Sequence, residues 1–330
     1  MFVGDINLGE YYMSFGHGPR SFINNGNPFQ MVTEIFSKAD FLVGNLEAPL
    51  TDHNLTVNDP ESMVLRGNPP SASLLSAAGF KVLQLANNHT VQHGISGFDE
   101  TVEILESTGI FPIGLSGQHI VKIALKGQTF GFLAASDVPD NTYKDQKKYQ
   151  KITEEFLKRV EDSVSQVDHL FVLLHWGLES ATHPLDYQRA LAKKLQEFGV
   201  RGVIGHHPHL FYEILKKDEM IFAPSLGNFV FDLGWDKRLL QSGILDISID
   251  TRNISAQVWP IELKENGCLP TPSGAPIEIK KYIKIYDLGN SMKGGQTKKI
   301  FYMLKNIHKG DKALKFKFLA RKIQERILKK

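Results

Sequence analysis

The stretch VIGHHPHLF, residues 203–211, places three histidines and a proline directly behind an apolar run. The apolar residues predict a short buried strand, and His206, His207 and His209 crowd the turn that follows it. Protonated histidines at this spacing would repel one another. The turn is therefore either a His-rich surface turn or part of a metal site, where neutral imidazoles bind a cation without repulsion.

Short apolar runs rich in β-branched and aromatic residues recur along the chain and predict strands. These runs span residues 1–4, 41–45, 81–86, 129–135, 169–175, 202–205, 220–227 and 243–249. Between several of them, apolar residues recur at helical spacing in 98–105, 156–164 and 191–198, and glycines 109 and 199 mark two helix ends. Strands that alternate with helices predict an α/β fold with a largely buried sheet.

Polar residues of the kinds that bind metals directly follow six of the predicted strands. Because the carboxyl ends of strands line the ligand-binding crevice of an α/β sheet, we expect these groups to converge. Gly4, Gly44, Gly205 and Gly227 precede some of them and permit close backbone approach. In chain order the groups are Asp5; Asn45 and Glu47; Asn87, Asn88 and His89; His175; His206, His207 and His209; and Asn228.

The expected ligand set combines carboxylate and amide oxygens with imidazole nitrogens. Such a set suits one or two divalent ions of Mn, Fe or Zn. Two ions that share a bridging carboxylate form a clamp for phosphoryl transfer and activate a water molecule. The single cysteine, Cys268, excludes a Cys-based zinc cluster and an intramolecular disulfide.

Charge is distributed unevenly along the chain. Residues 293–330 carry thirteen Lys and Arg against two acidic residues, a local net charge of +11, which leaves −9 on residues 1–292 because the whole chain is +2. We expect a compact domain over residues 1–285, in which 264–276 is a loop or the edge of the body, and a partly helical basic tail over 286–330. The tail either contacts anionic lipid, is solvated, or docks on the acidic body. Nucleic acid is not an expected partner, because the body is acidic and no recognition motif occurs.

The first residues and the lengths of the apolar runs indicate where in the cell we expect the protein. No run approaches the roughly 20 apolar residues that span a bilayer, and MFVGD at the start does not resemble a secretory signal. We therefore expect a cytoplasmic protein, with membrane association at the inner face as an alternative. Asp5 leaves four residues for the first strand, so either the natural start lies upstream or this strand is weakly held.

Six segments together resemble the bacterial capsule-synthesis CapA family, which includes the PgsA-type poly-γ-glutamate synthesis proteins. The resemblance covers about residues 2–265, and the motifs occur in family order. That family is similar to the calcineurin-like metallophosphoesterases. The resemblance therefore implies a four-layer sandwich of two mixed β-sheets flanked by helices. The segments are GDINLGE (4–10), GNLEAPLTD (44–52), LANNHTVQHGISGFDETVEIL (85–105), LLHWGLE (173–179), IGHHPHLF (204–211) and SLGNFVFD (225–232).

The resemblance also implies roles for single residues. Glu47, or alternatively Asn45, takes the place of the bridging carboxylate, and His89 aids the leaving group or holds the substrate. The first motif reads Asp5-Ile6-Asn7 where phosphoesterases carry Asp-x-His, so Asn7 stands there as a weaker ligand. Because Glu47 and Asn45 replace the bridging aspartate, the geometry is expected to differ. The implied metal ligands are Asp5, Glu47, Asn88, His175, His207 and His209. The implied contacts of the substrate or of the ligands are Asn7, Asn45, Asn87, His206 and Asn228.

Two functions are consistent with these residues. The first is a metal-dependent hydrolase in capsule or surface-polymer synthesis, acting on a phosphoester or on a γ-glutamyl amide. The alternative is a non-catalytic assembly or export factor of a polymer-synthesis complex. In both cases the expected partner is a surface polymer or its synthesis machinery.

Overall fold

A computed structural model describes residues 1–251, 253–292 and 295–328, so Lys293, Lys329 and Lys330 of the basic tail lie outside the described residues. The strands are β1 (Phe2–Ile6), β2 (Leu42–Leu46), β3 (Phe80–Gln84), β4 (Phe111–Ile113), β5 (Val121–Leu125), β6 (Gln128–Ser136), β7 (His169–His175), β8 (Gly202–His206), β9 (Ile214–Lys217), β10 (Met220–Ala223), β11 (Asn228–Val230), β12 (Gln241–Asp250), β13 (Asn253–Lys264), β14 (Leu269–Pro272), β15 (Ile277–Glu278) and β16 (Tyr282–Ile283). The helices are α1 (Pro19–Ile23), α2 (Thr33–Phe36), α3 (Pro60–Met63), α4 (Ala72–Ala78), α5 (Ile95–Ser107), α6 (Glu154–Val164), α7 (Asp186–Phe198), α8 (Gly295–Asn306) and α9 (Lys312–Leu328).

The first sheet has the strand order β14-β13-β12-β1-β2-β3-β4 within the described chain, with β11 beside β1 and β15 beside β13. Strands β1 to β4 are parallel, whereas β12 pairs antiparallel with β1 and continues antiparallel into β13 and β14. All five residues of β1 are buried, and the strand has neighbours on both sides. The short first strand is therefore a central strand and not a weakly held edge.

The second sheet is also mixed. Its order over the described residues is β16-β9-β10-β8-β7-β6-β5. Strands β6, β7, β8 and β10 run parallel, and β5, β9 and β16 pair antiparallel at the two sides. The predicted strands at 129–135, 169–175 and 202–205 are confirmed as β6, β7 and β8, which form the centre of this sheet.

Three apolar clusters define four layers. Side chains such as Phe2 and Val82 of the first sheet pack against Phe171 and Ile204 of the second sheet. A second cluster fills the outer face of the first sheet beneath α4 and α5, and a third joins the second sheet to α6 and α7. The expectation of two mixed sheets flanked by helices is therefore confirmed.

Close backbone approach explains two of the glycines that precede the polar groups. A Cβ atom on Gly4 would lie 2.0 Å from the carbonyl oxygen of Gly227, and one on Gly205 would lie 1.8 Å from that of Pro224. Contacts this short are not seen between real atoms, so only glycine fits at these positions. The two strand ends that carry Asp5 and the histidine turn therefore pack directly against the 224–227 segment.

One strand boundary predicted from the sequence is wrong. The segment 220–227 is not one strand, because β10 ends before Pro224 and the chain then crosses to the first sheet. Asn228 consequently begins β11 beside Asp5 and does not follow a strand end. The segment 264–276, expected as a loop or as the edge of the compact body, contains the edge strand β14, whose residues pair with β13 in spite of two prolines.

The basic tail folds onto the body. Leu314 and Phe318 of α9 are buried in a cluster with Phe15 and Leu233, and Arg321 forms an ion pair with Asp59. This face of the tail therefore docks on the body, which is one of the three environments expected for it. The domain boundary at residue 285 remains a prediction. None of the helices in the described ranges combines the length and hydropathy that a bilayer crossing needs.

Candidate metal centre

The carboxyl ends of β1, β2, β3, β7 and β8 meet at one edge of the sandwich. Asp5 and Asn45 are paired across β1 and β2, while His175 and His206 are paired across β7 and β8. Because the two sheets lie face to face, these ends bring residues from both sheets to one place. The residues predicted as metal ligands are all buried there, namely Asp5, Glu47, Asn88, His175, His207 and His209.

Two groups of ligand atoms share one carboxylate. Asp5, Glu47 and His209 form the first group, and Glu47, His175 and His207 form the second. Within each group the ligand atoms lie within 4.8 Å of one another. Glu47 therefore lies where a carboxylate would bridge two ions, which is the position that the sequence assigned to Glu47 or Asn45.

Asn45 supports both carboxylates and does not replace them. Its side-chain Nδ2 donates to Oδ1 of Asp5 at 2.9 Å and to Oε2 of Glu47 at 2.8 Å. Its Oδ1 accepts from Nδ2 of Asn87 at 3.2 Å, and Asn87 also donates to the carbonyl of Leu46. Asn45 and Asn87 thus form a hydrogen-bonded chain that fixes the two acidic side chains.

The histidine turn has a constrained backbone. His207 and His209 have φ angles of 98° and 60°, a region that non-glycine residues rarely adopt. The N–H of His207 points to Oδ2 of Asp5 at 3.4 Å, and the N–H of Ser180 donates to the carbonyl of Pro208 at 3.0 Å. This backbone directs the side chains of His207 and His209 toward the shared Glu47.

Four buried polar atoms at this place lack hydrogen-bond partners among the described residues: Oε1 of Glu47 and the Nδ1 atoms of His175, His206 and His207. Buried polar atoms nearly always have a partner, so a cluster of exceptions indicates a missing ligand. The remaining nitrogen of His175, Nε2, lies 2.8 Å from Oδ1 of Asn88. A donor set of oxygens and imidazole nitrogens fits a divalent ion such as Mn, Fe or Zn.

Burial and neighbouring charges set the protonation of this group. Burial, and then the adjacent histidines, hold the pKa of His175 well below its ordinary value, and lower the pKa of His207 to about 4. Burial opposes the charge of His209 as well, but Asp5 and Glu47 outweigh it and raise the pKa of His209 to about 9. Burial and the Asp5 carboxylate raise the pKa of Glu47 well above its ordinary value. His175 and His207 are therefore neutral at pH 7, the form that binds metal.

His89 lies at the border between this centre and solvent. Its Nδ1 lies 2.8 Å from Oε1 of Gln92, whose Nε2 donates to the carbonyl of Val64. This arrangement orients Gln92 as the acceptor, so Nδ1 of His89 carries the proton. The other nitrogen, Nε2, lies 4.0 Å from Oε1 of Glu47. His89 is thus oriented with Nε2 toward the shared carboxylate.

A cleft of about 780 Å³ opens onto the centre, and His89 and His209 line it. Apolar residues such as Leu65 and Trp235 form part of its wall. Helices α8 and α9 of the basic tail complete the wall with Met303 and Leu319 among other residues. The tail therefore helps to shape the space next to the candidate ligands.

Of three residues predicted to contact substrate or ligands, Asn228 contacts a candidate ligand, whereas Asn7 and His206 have other partners. Both amide atoms of Asn7 are engaged, since Nδ2 donates to Asp232 at 3.0 Å and Oδ1 accepts from Gly9. His206 is fully buried, and its Nε2 lies 3.2 Å from the carbonyl of Val3. Asn228 contacts a candidate ligand, because its Oδ1 lies 2.9 Å from Nδ1 of His209. Asn228 thus supports the centre, whereas Asn7 and His206 do not line the cleft.

Glu179 lines the cleft and was not predicted from the sequence. Burial opposes its ionisation, but His209, His207 and His89 lower the pKa of Glu179 below its ordinary value. The carboxylate therefore faces the histidine cluster. Its position four residues after His175, in the stretch HWGLE, is the signal that could have identified it.

Known sequences are similar to the part of the chain that carries the candidate metal centre. Residues 1–233 match a family model described as bacterial capsule synthesis protein PGA_cap. The PGA biosynthesis protein CapA of Bacillus subtilis (strain 168) is 28% identical over 275 residues, which are 80% of this chain and 71% of that protein. The capsule biosynthesis protein CapA of Bacillus anthracis is 26% identical over 291 residues, or 82% and 69%. The matched residues 1–233 include both groups of ligand atoms.

Two solved structures are similar to this chain at low sequence identity. A novel phosphatase from Mycoplasma pneumoniae is 13% identical with a TM-score of 0.46, over 84% of this chain and 92% of that chain. A 5′-nucleotidase from Candida albicans SC5314 is 11% identical with a TM-score of 0.47, over 95% of this chain and 58% of that chain.

Proposed function

This chain belongs to the bacterial capsule synthesis family PGA_cap, and we propose that it acts in the synthesis of a capsule or another surface polymer as a metal-dependent hydrolase. The substrate is a phosphoester or a polymer bond such as the γ-glutamyl amide. The names of the two relatives, PGA biosynthesis protein and capsule biosynthesis protein, support this choice of polymer. The surface polymer or its synthesis machinery is the proposed partner.

The observation that carries the hydrolase proposal is that Glu47 belongs to both groups of ligand atoms. One divalent ion is assigned to Asp5, Glu47 and His209. A second is assigned to Glu47, His175 and His207, with Asn88 beside His175. The ions are of the Mn, Fe or Zn type, because the donors are oxygens and imidazole nitrogens.

Bound ions would polarise the scissile group and lower the pKa of a water molecule toward neutrality. Side chains of the protein would position the ligands and transfer the proton. Asn45 holds Asp5 and Glu47 in place. His89 directs Nδ1–H at Gln92 and presents Nε2 to the cleft. Burial lowers the pKa of His89, so the protonated form that acts as general acid for the leaving group is the minor form at pH 7.

Turnover and metal content together test the proposal. Purified protein is supplied with Mn²⁺ and assayed on p-nitrophenyl phosphate, on bis-p-nitrophenyl phosphate and on poly-γ-glutamate, while bound metal is measured by elemental analysis. We expect metal binding and turnover of one substrate, both lost in Glu47→Gln. The exposed Glu278→Gln is the matched control and retains both. No bound metal and no turnover in the unaltered protein would end the hydrolase proposal.

Asn7 gives a reason to keep the assembly or export role as a second candidate. It occupies the place of the histidine in Asp-x-His, and both of its amide atoms are bonded to Gly9 and Asp232. The first motif therefore lacks one strong ligand. Cells that carry Asp5→Asn with His207→Asn decide between the roles, since polymer synthesis that survives both changes favours the non-catalytic factor and its loss favours the hydrolase.

A further inference from the structure

Helix α9 presents two different faces. On one face Leu314 and Phe318 are buried against the body. Near that face Arg321 pairs with Asp59, and Lys322 lies 3.2 Å from Glu61. These contacts account for the docked side of the helix and leave its other side to be explained.

The other side carries an exposed apolar stripe. Phe316, Ile323 and Ile327 are 57%, 59% and 68% exposed. Their spacing of seven and four residues places them along one line of a helix, and Phe316 lies on the opposite side from Phe318. A helix that only docks on the body needs polar residues here, so this stripe indicates a second contact.

Helix α8 repeats the pattern. Ile300, Phe301 and Leu304 are 55%, 72% and 58% exposed and lie next to one another on the helix surface. Six of the fifteen large hydrophobic side chains that are exposed in the described part of the chain belong to these two helices. The exposed apolar surface is therefore concentrated in the tail.

Basic residues surround both stripes. Residues 295–328 contain ten Lys and Arg against Asp311 and Glu325, a net charge of +8. Lys305, Lys312 and Lys317 are exposed. An amphipathic helix with Lys on its polar flanks and aromatic or aliphatic residues on its apolar face is typical of a segment that lies in the interface of a membrane.

We infer that the exposed faces of α8 and α9 bind the surface of an anionic lipid bilayer. Lysines beside the stripes attract the headgroups, and the stripes enter the boundary with the acyl chains. A second copy of the chain is disfavoured as the occupant, because two faces of positive charge would repel. A hydrated polyanion would pair with the lysines but would not bury the apolar side chains of Phe316, Ile323 and Ile327. This inference does not depend on the metal centre.

The same surface borders the cleft. Ile300 of α8 and Ile323 of α9 are exposed and also line the cleft that leads to His89 and His209. Binding through these helices would therefore place the mouth of the cleft next to the bilayer surface. The bilayer would then restrict access to the candidate metal centre to molecules near the headgroups.

Vesicle flotation of the full chain tests the inference. We expect binding to phosphatidylcholine vesicles that contain phosphatidylglycerol, and at least tenfold weaker binding to phosphatidylcholine alone. The triple variant Phe316→Ser, Ile323→Ser, Ile327→Ser should lose at least tenfold in partitioning at unchanged thermal stability, because these side chains are exposed. The control, Ile95→Ser with Phe111→Ser, removes exposed side chains on the body and should bind as the unaltered chain does.

Three results would overturn the inference. One is equal partitioning of the triple variant and the unaltered chain on anionic vesicles. Another is displacement of the chain from vesicles by free poly-γ-glutamate while the triple variant binds that polymer equally well, which indicates a site for a polyanion. The third is a dimer in sedimentation velocity that the triple variant abolishes, together with the absence of vesicle binding.

Discussion

Nε2 of His209 lies 3.8 Å from Oε1 of Glu47, while Nδ1 of the same ring lies 3.3 Å from Oδ2 of Asp5. One imidazole therefore lies between two buried carboxylates, which raise the pKa of His209 to about 9. In the metal-free protein the proton of His209 offsets part of their negative charge. A metal ion that binds this group must displace that proton.

Metal affinity should consequently depend on pH. The pKa of His209 is raised to about 9, so below that pH one proton leaves whenever an ion binds. His175 and His207, whose pKa values are lowered, release none above about pH 6. We expect the affinity for Mn²⁺ to rise by about tenfold per pH unit between pH 6.5 and 8, and then to level off above pH 9. Competition with a metal indicator at several pH values measures this dependence.

His209→Gln is the matched variant for the pH experiment. It should bind Mn²⁺ at least about tenfold more weakly. The slope of log affinity against pH should fall by one, because one proton fewer is released per bound ion. An unchanged slope in this variant would show that another group, such as Glu47, releases the proton, and would contradict the assignment to His209.

Asn45→Asp should destabilise the metal-free protein by about 3 kcal/mol, because it replaces a shared donor with a third buried carboxylate. Saturating Mn²⁺ should recover part of this loss, since an ion offsets the added charge. Urea unfolding with and without Mn²⁺ measures both effects. Asn306→Asp removes a donor to Tyr302 in the tail, far along the chain from the carboxylates, and metal should not rescue it. Equal rescue of the two variants would refute the prediction.

Gly205→Ala should cost about 3 kcal/mol or more of unfolding free energy, because its Cβ would collide with the backbone of Pro224. Gly274→Ala is the control, since the nearest atom to its Cβ is a side-chain atom of Pro260 at 3.7 Å. The control should change stability by no more than about 0.5 kcal/mol. Similar stabilities of the two variants in urea unfolding would show that the 203–206 strand can move away from Pro224.

Phe318→Ala should loosen α9. The Phe318 ring stacks on Tyr12 with centroids 4.4 Å apart, and its removal costs about 3 kcal/mol of packing, or roughly a hundredfold more frequent local opening. Hydrogen exchange of the α9 amides should accelerate, while exchange in β7 should not. Phe316→Ala removes a ring that is 57% exposed and should leave the exchange of α9 nearly unchanged. Equal acceleration in both variants would mean that Phe318 does not hold the helix.

The candidate ligands were predictable because each follows a strand of recognisable composition. Apolar runs before Asp5, His175 and His207 predict strands, and the rule that strand ends share an edge brings these residues together. Asn45 was predicted to contact the substrate or the ligands, but its donation to two carboxylates at once was not, since that depends on the direction of one amide. The spacing of four residues after His175 could have marked Glu179 as a candidate, but the irregular segment between them does not show which way its side chain points.

Long-range pairing limited the prediction of the fold. Strand β13 contains Pro260, which is unfavourable in a strand, yet the residue pairs with Gly243 in β12. The docking of α9 depends on Arg321 meeting Asp59 and on Phe318 meeting Tyr12, more than 250 residues away along the chain. Periodicity describes local structure, so it predicted the helical character of the tail but could not choose among its three environments.

The antiparallel partner of β1 has a practical consequence for work on this family. The match to the family model ends at residue 233, whereas β12 begins at Gln241 and pairs with the strand that carries Asp5. A fragment cut at 233 would keep β11 beside Asp5 and Ile6, but it would leave the Phe2 end of β1 without its antiparallel partner, and unpaired N–H and C=O groups of a strand recruit strands from other molecules. Such a fragment should aggregate even though it contains every candidate ligand. The segment that homology recognises is therefore shorter than the segment that must be expressed.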